Sequence, residues 1–263
     1  MRYSVFDPTG NITALVRDPV APLQQPVIAA GIMRKHPEVE QVGFVSFDGA
    51  LPALRMAGGE FCGNASMSAA ALLCMEQDLP VPVTVRLRVS GAASPVAVRL
   101  VQREGKTFSA VVSMPAAKSI RERVFSLGAQ RGALTVAALE GISHILIEPD
   151  SPFFSLLEDP AAAETAVRRW CGELGAEGLG LMFRSGDRLT PLVFVPGSDT
   201  VFWETSCASG TAAAGMAIAL KTGARVDCAF REPGGCMRVS SDPQSGETML
   251  EGTTRLIGGN AES

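Results

Sequence analysis

Short runs of alternating hydrophobic and polar residues, closed by turns rich in glycine and proline, occur along most of the chain. Alternation with a period of two is typical of β-strands that bury one face. A Glu-Gly-Lys hairpin signal at 104–106 separates two of these runs. The pattern predicts strands over residues 3–6, 12–16, 42–47, 82–89, 96–101, 107–113, 144–147, 179–183, 191–195, 201–203, 236–240 and 248–253.

Fewer segments show the longer spacing of apolar residues that indicates helices. They predict helices over residues 25–35, 64–76, 135–139, 161–174 and 211–221. Because strands dominate and no strand–helix–strand alternation persists, we predict an α+β fold. The polar, proline-containing segment 113–123 is the predicted linker between an N-terminal half, 1–117, and a C-terminal half, 118–263.

The most informative feature is a motif that occurs twice, each time around a cysteine. Cys62 lies in the sequence Gly-Glu-Phe-Cys-Gly-Asn-Ala-Ser, and Cys207 lies in Trp-Glu-Thr-Ser-Cys-Ala-Ser-Gly-Thr. In both copies an acidic residue precedes the cysteine, a small polar turn follows it, and an alanine-rich helix begins. The copies lie about half the chain apart, which indicates two similar halves, each with one cysteine at a helix start.

The position of these thiols suggests acid–base chemistry. The positive end of a helix dipole and its unpaired N–H groups are expected to favour the thiolate. The residues that follow the cysteines, Gly63, Asn64, Ala208 and Ser209, are small, so their N–H groups can contact an anion such as a carboxylate. Ordinary capping by Asn64 and Ser209 is the alternative interpretation. A thiol on each side of the α-carbon of a bound amino acid would remove a proton from one face and return one to the other.

Composition narrows the class of protein. Of 263 residues 46% are hydrophobic and 19% are charged, as in a globular chain. Acidic residues outnumber basic ones by 27 to 23 without any basic run, which argues against a nucleic-acid partner. The apolar stretches are too short to span a membrane, and the N-terminus does not resemble an export signal. We therefore expect a cytoplasmic protein with reduced thiols, of which Cys74, Cys171, Cys228 and Cys236 are buried structural residues.

The residue types also bear on cofactors. The chain has only two histidines and no Cys-x-x-Cys spacing, so we expect no metal site. A pyridoxal-phosphate enzyme needs a Schiff-base lysine and a phosphate-binding loop. None of the chain's few lysines lies beside a convincing glycine-rich loop. We therefore expect no cofactor.

Taken together, the motifs resemble the diaminopimelate epimerase-like family of cofactor-independent amino-acid racemases and epimerases. The two cysteine motifs carry most of the resemblance, and weaker matches extend it along nearly the whole chain. These are the turn that ends in Asn11, the pair Glu40-Gln41 where the family has Asp-Gln, the segment Gly141 to His144 where it often has Gly-Asn-Pro-His, and Pro233-Gly234-Gly235 near the end.

The resemblance implies two pseudo-symmetric α+β domains with the active site in a cleft between them. In an alternative form of this division, the last C-terminal strand completes the first domain. It implies that Cys62 and Cys207 carry out a two-base proton transfer without a cofactor. It leaves His144 either as an auxiliary group near the thiols or as a structural residue. The substrate-binding residues that it implies are Asn11, Gln41, Gly63, Asn64, His144, Glu204, Ala208 and Ser209.

Departures from the family pattern bear on the substrate. Diaminopimelate epimerases carry a Glu-Arg pair shortly before the second cysteine, whereas residues 196–201 here contain no arginine. This difference, and the Gly-Glu-Phe-Cys-Gly-Asn-Ala variant of the first motif, favour the histidine racemase branch, which serves opine-type metallophore synthesis. Asp199, Glu40 and Gln41 are candidates to hold an imidazole ring. A diaminopimelate epimerase and a non-catalytic amino-acid-binding protein remain alternatives. The expected partner is an amino-acid substrate, and a homodimer is left open.

Overall fold

The computed structural model describes residues 1–259, which form four α-helices, two short 3₁₀-helices and sixteen strands. The helices are α1 (Gln25–Lys35), α2 (Gly63–Glu76), α3 (Pro160–Leu174) and α4 (Ala208–Thr222), with 3₁₀-helices at Pro22–Gln24 and Phe154–Glu158. The strands are β1 (Tyr3–Asp7), β2 (Thr13–Val16), β3 (Gln41–Ser46), β4 (Ala53–Met56), β5 (Val83–Val89), β6 (Val96–Glu104), β7 (Thr107–Ser113), β8 (Ser119–Leu127), β9 (Gln130–Ala138), β10 (Ser143–Ile147), β11 (Leu179–Ser185), β12 (Arg188–Val195), β13 (Thr200–Trp203), β14 (Val226–Glu232), β15 (Gly235–Ser241) and β16 (Thr248–Gly259).

The strands of the described residues belong to one continuous sheet. Strands β1 to β7 follow one another in order, and β16 comes next to β7. Because β16 also pairs with β1, these eight strands close on themselves in a barrel-like arrangement. The sheet continues from β16 through β15, β14, β12, β11, β10 and β9 to β8, and β13 pairs with β12. The result is a mixed α/β architecture with a core dominated by sheet.

The order of strand pairings occurs twice along the chain. In the first half β2 and β3 are parallel, β3 and β4 antiparallel, and β4 and β5 parallel. In the second half the same order links β10 with β11, β11 with β12, and β12 with β14. Helix α2 lies between β4 and β5, and α4 lies between β13 and β14. The two alanine-rich helices therefore occupy equivalent positions in the repeated connections.

Both alanine-rich helices are buried in the largest hydrophobic cluster. Every residue of α2 from Gly63 to Cys74 is buried, and α4 is buried from Ala208 to Met216. Small side chains allow a helix to pack closely on several sides at once. Helix α3 packs elsewhere, around Trp170, and α1 covers a third, smaller cluster. The first turns of α2 and α4 are thus held rigidly inside the protein.

One predicted helix is wrong, and one predicted connection is shorter in the structure than expected. Residues 135–139 are not a helix, because 130–138 form β9, which pairs with β8 on one side and β10 on the other. Leu134 and Val136 are buried in the alternation of a strand, but the neighbouring Ala137 is buried as well, so the end of β9 is apolar on both faces. The linker predicted over 113–123 is also shorter than expected, because β7 ends at Ser113 and β8 begins at Ser119.

The prediction that four cysteines are buried is wrong for two of them. Cys74 and Cys171 are buried, whereas Cys228 is half-buried and Cys236 is exposed. Both of the exceptions lie on the β14–β15 hairpin. Cys228 is on the inward face of β14 together with Phe230 and packs at the margin of the largest hydrophobic cluster, whereas Cys236 is on the outward face of β15. Within residues 1–259, no helix combines the length and apolar character needed to cross a membrane.

Candidate active site

The first residues of α2 and α4 are in direct contact. Cys62 and Cys207 are the N-cap residues of these helices, and both have extended backbone conformations. A Cβ atom placed on Gly63 would lie 2.8 Å from the Cβ atom of Ala208, closer than two carbon atoms pack. The small residues after each cysteine therefore allow the two helix N-termini, and the thiols beside them, to approach each other.

Asn64 joins the two helix starts. Its Oδ1 atom accepts a hydrogen bond from the backbone N–H of Ala208 at 2.8 Å. Its Nδ2 atom donates to the carbonyl oxygen of Pro8 and to the hydroxyl of Ser206, both at 3.0 Å. The side-chain amide is buried and all of these partners come from outside α2. It fixes the beginning of α4 and the preceding segment relative to α2.

The thiol of Cys62 is oriented by a network from the first half of the chain. Its S–H donates to Oε1 of Gln41 at 3.1 Å, and its sulfur accepts from the N–H of Ala65 at 3.3 Å. The amide nitrogen of Gln41 donates to Oδ1 of Asn11 and to the hydroxyl of Thr13. These two acceptors determine which end of the Gln41 amide faces the thiol.

Cys207 has a different set of neighbours. Its backbone N–H donates to Glu232 at 2.6 Å, and the hydroxyl of Thr211 donates to the other oxygen of the same carboxyl group at 2.5 Å. The sulfur lies 3.6 Å from the hydroxyl oxygen of Ser209, which is 2.9 Å from Nε2 of His144. A row of His144, Ser209 and Cys207 therefore leads from the protein interior to the thiol.

His144 is enclosed behind this row. Its side chain is fully buried, and its Nδ1 atom has no hydrogen-bond partner among the described residues. The imidazole instead packs on Gly180 of β11, where an added Cβ would lie 2.3 Å from Nδ1. Burial lowers the pKa of His144 to about 3, so the ring is neutral at physiological pH.

The electrostatics of the thiols differ from the prediction made from the helix starts. Burial raises the pKa of Cys62 to about 12, against the opposing effects of the Ala65 N–H and the Gln41 side chain. Burial also raises the pKa of Cys207 well above the ordinary value, and the nearby carboxyl groups of Glu204 and Glu232 raise it further. The predicted preference for thiolates is therefore wrong for this structure, because desolvation and acidic neighbours outweigh the N–H groups.

Nearly all of the predicted site residues meet at one small cavity of about 30 Å³. Of these predicted residues, only His144 does not line the cavity, because Ser209 lies between the imidazole and the cavity. The cavity is lined by both thiols and by Asn11, Gln41, Glu60, Phe61, Gly63, Asn64, Ile142, Val193, Val195, Glu204, Ala208 and Ser209. Residues far apart in the sequence are thus brought together around one space that contains both cysteines.

Glu40 and Asp199 have roles other than those considered from the sequence. Glu40 accepts hydrogen bonds from the side chain of Asn11 at 2.7 Å and from the backbone and hydroxyl of Thr205 at 3.1 and 2.7 Å. It ties the first half of the chain to the segment before Cys207. Asp199 lies on the surface with its side chain 79% exposed, in an ion pair with Arg168. It does not line the cavity.

Two carboxyl groups at the site were not predicted. They are Glu60, which lines the cavity beside the predicted Glu204, and Glu232, which accepts a hydrogen bond from the backbone N–H of Cys207. Burial raises the pKa of Glu60 to about 6 and that of Glu232 to about 8. The acidic residue before Cys62 was visible as part of the repeated motif. Glu232 had only an indirect signal, because it immediately precedes the Pro-Gly-Gly turn near the end of the chain.

Comparison with known proteins gives consistent results. Residues 1–255 match the domain model described as the histidine racemase CntK N-terminal domain. The histidine racemase of Staphylococcus aureus strain Mu50 is 28% identical over 247 residues, which cover 92% of this chain and 88% of that protein. A histidine racemase of Fusobacterium nucleatum is 29% identical over 220 residues, covering 80% of this chain and 78% of that protein.

The fold is also found among solved structures. A probable proline racemase from Agrobacterium radiobacter K84 superposes with a TM-score of 0.72 at 13% sequence identity. The match covers 100% of this chain and 92% of that one. At this identity the likeness shows the fold alone. The chain therefore shares its fold with that protein.

Proposed function

The chain belongs to the histidine racemase family that the CntK domain model describes, and we propose that it inverts the α-carbon of histidine by proton transfer between Cys62 and Cys207. Membership of this family makes it an isomerase of the amino-acid racemase type. The observation that carries the proposal is the meeting of the two cysteine-capped helices at one cavity, where Gly63 contacts Ala208.

The helix starts supply a place for the substrate carboxylate. Within residues 1–259, the backbone N–H groups of Gly63, Asn64 and Ser209 form no hydrogen bond with protein atoms. They lie at the positive ends of α2 and α4, where an anion is favoured. The N–H of Ala208 is used by Asn64 instead. A carboxylate bound here holds the α-carbon beside the two thiols, and the N–H groups stabilise the charge that develops on it.

The proton transfer then balances without a cofactor. The thiolate of one cysteine takes the proton from the α-carbon and becomes a thiol. The thiol of the other cysteine gives its proton to the opposite face of the resulting carbanion and becomes a thiolate. The configuration at the α-carbon is inverted and the number of protons is unchanged. The thiol and the thiolate have exchanged places, so the protein is ready to convert the opposite enantiomer.

Substrate binding favours the charge state that this step needs. Burial raises the pKa values of both thiols, so both are protonated at neutral pH. The carboxyl groups of Glu204 and Glu60 disfavour a negative charge on Cys62, and those of Glu204 and Glu232 disfavour one on Cys207. The α-ammonium group of an amino acid brings a positive charge among these groups and offsets them. One of the two thiols therefore releases its proton to the solvent more readily when the amino acid binds, which leaves one thiolate and one thiol for the transfer.

The repeated pairing order supports a division into two pseudo-symmetric lobes, 1–117 and 118–263, with the site in a cleft between them. The helix starts that carry the thiols come from equivalent connections in the two halves. Strand β16, from the second half, pairs with β1 and β7 and completes the sheet of the first. In this division each lobe supplies one proton donor or acceptor.

The lining of the site favours histidine over diaminopimelate. A distal carboxylate in a buried site needs an arginine or lysine partner. A second cavity, which shares lining residues such as Gln41 and Glu204 with the cysteine cavity, lies next to it. Among the described residues that line either cavity, none is a lysine or an arginine. Three glutamates line the two cavities instead, which suits a basic side chain. D-Histidine as a precursor of an opine-type metallophore is part of this proposal.

The test is a proton-exchange screen in deuterated water, with the common L-amino acids and the diaminopimelate isomers offered separately. We expect L-histidine to gain deuterium at the α-position and to yield D-histidine. Efficient turnover of diaminopimelate with histidine inert would assign the chain to the epimerase activity instead. No α-exchange with any amino acid would favour a non-catalytic binding protein.

A further inference from the structure

A second cavity, of about 190 Å³, adjoins the one that contains the thiols. The two cavities share Gln41, Glu60, Val193, Val195 and Glu204 as lining residues. The walls of the second cavity are largely apolar, with side chains from α1, β3 and the β12–β13 hairpin. Because it opens from the cysteine cavity, the side chain of a substrate whose α-carbon lies between the thiols extends into it.

Three carboxyl groups line this second cavity, and two of them are already engaged. Both oxygens of Glu40 accept hydrogen bonds, from Asn11 and Thr205. Glu204 lies beside Cys207, and a hydrogen bond with that thiol opposes the strong upward shift that burial gives to the pKa of the glutamate.

Glu60 is the exception among the three. Its Oε2 atom is buried and has no hydrogen-bond partner among the described residues. Burial is the largest influence on the pKa of Glu60 and raises it, while the backbone N–H of Glu60, the Arg55 guanidinium and the backbone N–H of Gly58 lower it by less. The Oε2 atom itself still has no donor within hydrogen-bond distance among the described residues. A buried oxygen without a partner is unfavourable unless a ligand supplies a donor. This oxygen belongs to a residue shared by both cavities.

On the basis of the proposed function, we propose that the second cavity is the side-chain pocket and that Glu60 is the specificity-determining residue, whose carboxyl group accepts the imidazole N–H of histidine. The faces of the ring then pack against apolar wall residues such as Val42 and Phe202. The hydroxyls of Ser198 and Thr200, which are 2.8 Å apart, line the same pocket and offer a donor to the second ring nitrogen.

This arrangement distinguishes histidine from side chains of similar size. A five-membered ring without an N–H fits the apolar walls but leaves the Glu60 oxygen without a partner. Sites built around a buried hydrogen bond reject analogues that lack the matching group far more strongly than apolar pockets reject a change of size. We expect wild-type protein to use 3-(2-thienyl)-L-alanine at least about 100-fold less efficiently than L-histidine, as kcat/KM for α-proton exchange.

The variants Glu60→Gln and Glu60→Met test the assignment, with Glu247→Gln, an exposed glutamate whose side chain lies outside both cavities, as the matched control. Both Glu60 variants are expected to raise KM for L-histidine at least about 10-fold with a smaller effect on kcat. Glu60→Met is also expected to reduce the ratio of kcat/KM for L-histidine to kcat/KM for 3-(2-thienyl)-L-alanine to less than about 10. The control is expected to match wild type in both respects.

A second variant does not depend on replacing a buried carboxyl group. Ala30 of α1 is exposed at the rim of the pocket, so Ala30→Leu is expected to fold normally and to raise KM for L-histidine by shortening the pocket. Wild-type KM in this variant and in both Glu60 variants would overturn the pocket assignment while leaving the racemase activity intact. Absence of histidine exchange in the wild-type protein would instead refute the proposed function.

Discussion

The Oδ1 atom of Asn64 at the start of α2 accepts a hydrogen bond from the backbone N–H of Ala208 at the start of α4, at 2.8 Å. The first N–H groups of a helix have no partner within the helix and need one from elsewhere. Here a side chain of one helix supplies it for the other. The relative position of the two cysteine-bearing helix starts therefore depends on one buried amide.

Asn64→Ala is expected to lower both stability and activity. It leaves the Ala208 N–H, the Pro8 carbonyl and the Ser206 hydroxyl without this partner inside the protein. We expect the free energy of unfolding to fall by about 2–4 kcal/mol and racemisation to fall at least 100-fold. Denaturant titration and a racemisation assay on the same preparation measure the two effects.

Ser68→Ala provides the comparison for this variant. Ser68 lies one turn further along α2, is equally buried, and bonds to the Asn64 carbonyl and to Thr254 rather than to α4. It is expected to lose stability by about 1–2 kcal/mol while keeping most of its activity under native conditions. Equal losses of activity in the two variants would show that Asn64 acts only through general stability.

Gly63→Ala tests the close approach of the helices directly. The added methyl group would lie 2.8 Å from the Cβ atom of Ala208, so the two helix starts must move apart. We expect a loss of about 1–3 kcal/mol in stability and a large loss of racemisation, because the thiols separate with the helices. Thermal unfolding and α-proton exchange provide the readouts.

The matched control is Gly172→Ala in α3, where an added Cβ has no neighbour within 4 Å. Alanine is the better helix former, so this variant is expected to be as stable as wild type or up to about 1 kcal/mol more stable, with unchanged activity. Full activity in Gly63→Ala would mean that the helix contact does not control the distance between the thiols.

The helix starts could be predicted from the sequence because their signals are local. A cysteine, a small polar turn and a run of alanines occur together in both copies of the motif. The β8–β9 hairpin could not be predicted in this way. Residues 121–123 are charged and resemble a linker, and the apolar run in β9 resembles a short helix. Both segments are strands because β9 pairs with β10 on one side and with β8 on the other.

The carboxyl groups of the site show the same limit. Glu60 precedes Cys62 and could be noticed as part of a motif, but its buried, unpartnered oxygen is a property of the folded chain. The contact of Glu232 with the Cys207 N–H joins residues on different elements, and no local pattern predicts it. The raised pKa values of the thiols follow from burial, which the helix-start argument did not include.

Glu232 is expected to make stability depend on pH. Burial raises its pKa from the ordinary value of 4.5 to about 8. Between these pH values the folded protein keeps a proton that the unfolded chain has released, so the contribution of this carboxyl group to stability declines as the pH rises through this range. Glu232→Gln mimics the protonated form, since its amide can accept from Cys207 N–H and donate to the Thr211 hydroxyl.

As the pH rises from 5 to 9, we expect the wild type to lose roughly 4 kcal/mol more of its free energy of unfolding than Glu232→Gln does. Denaturant titrations at several pH values, with the exposed-site variant Glu247→Gln beside them, measure the difference. Parallel pH curves for wild type and Glu232→Gln would show that the Glu232 carboxyl group is ionised throughout in the folded protein.

The most direct test of the account is racemisation of L-histidine and of D-histidine in deuterated water by wild type, Cys62→Ser and Cys207→Ser. The wild-type protein is expected to convert each enantiomer into the other, with solvent deuterium at the α-position of the product. Each serine variant is expected to fold and to lose racemisation at least 100-fold, because a hydroxyl is a much weaker acid and base partner than a thiol. Racemisation at the wild-type rate by either serine variant would contradict a proton transfer between Cys62 and Cys207.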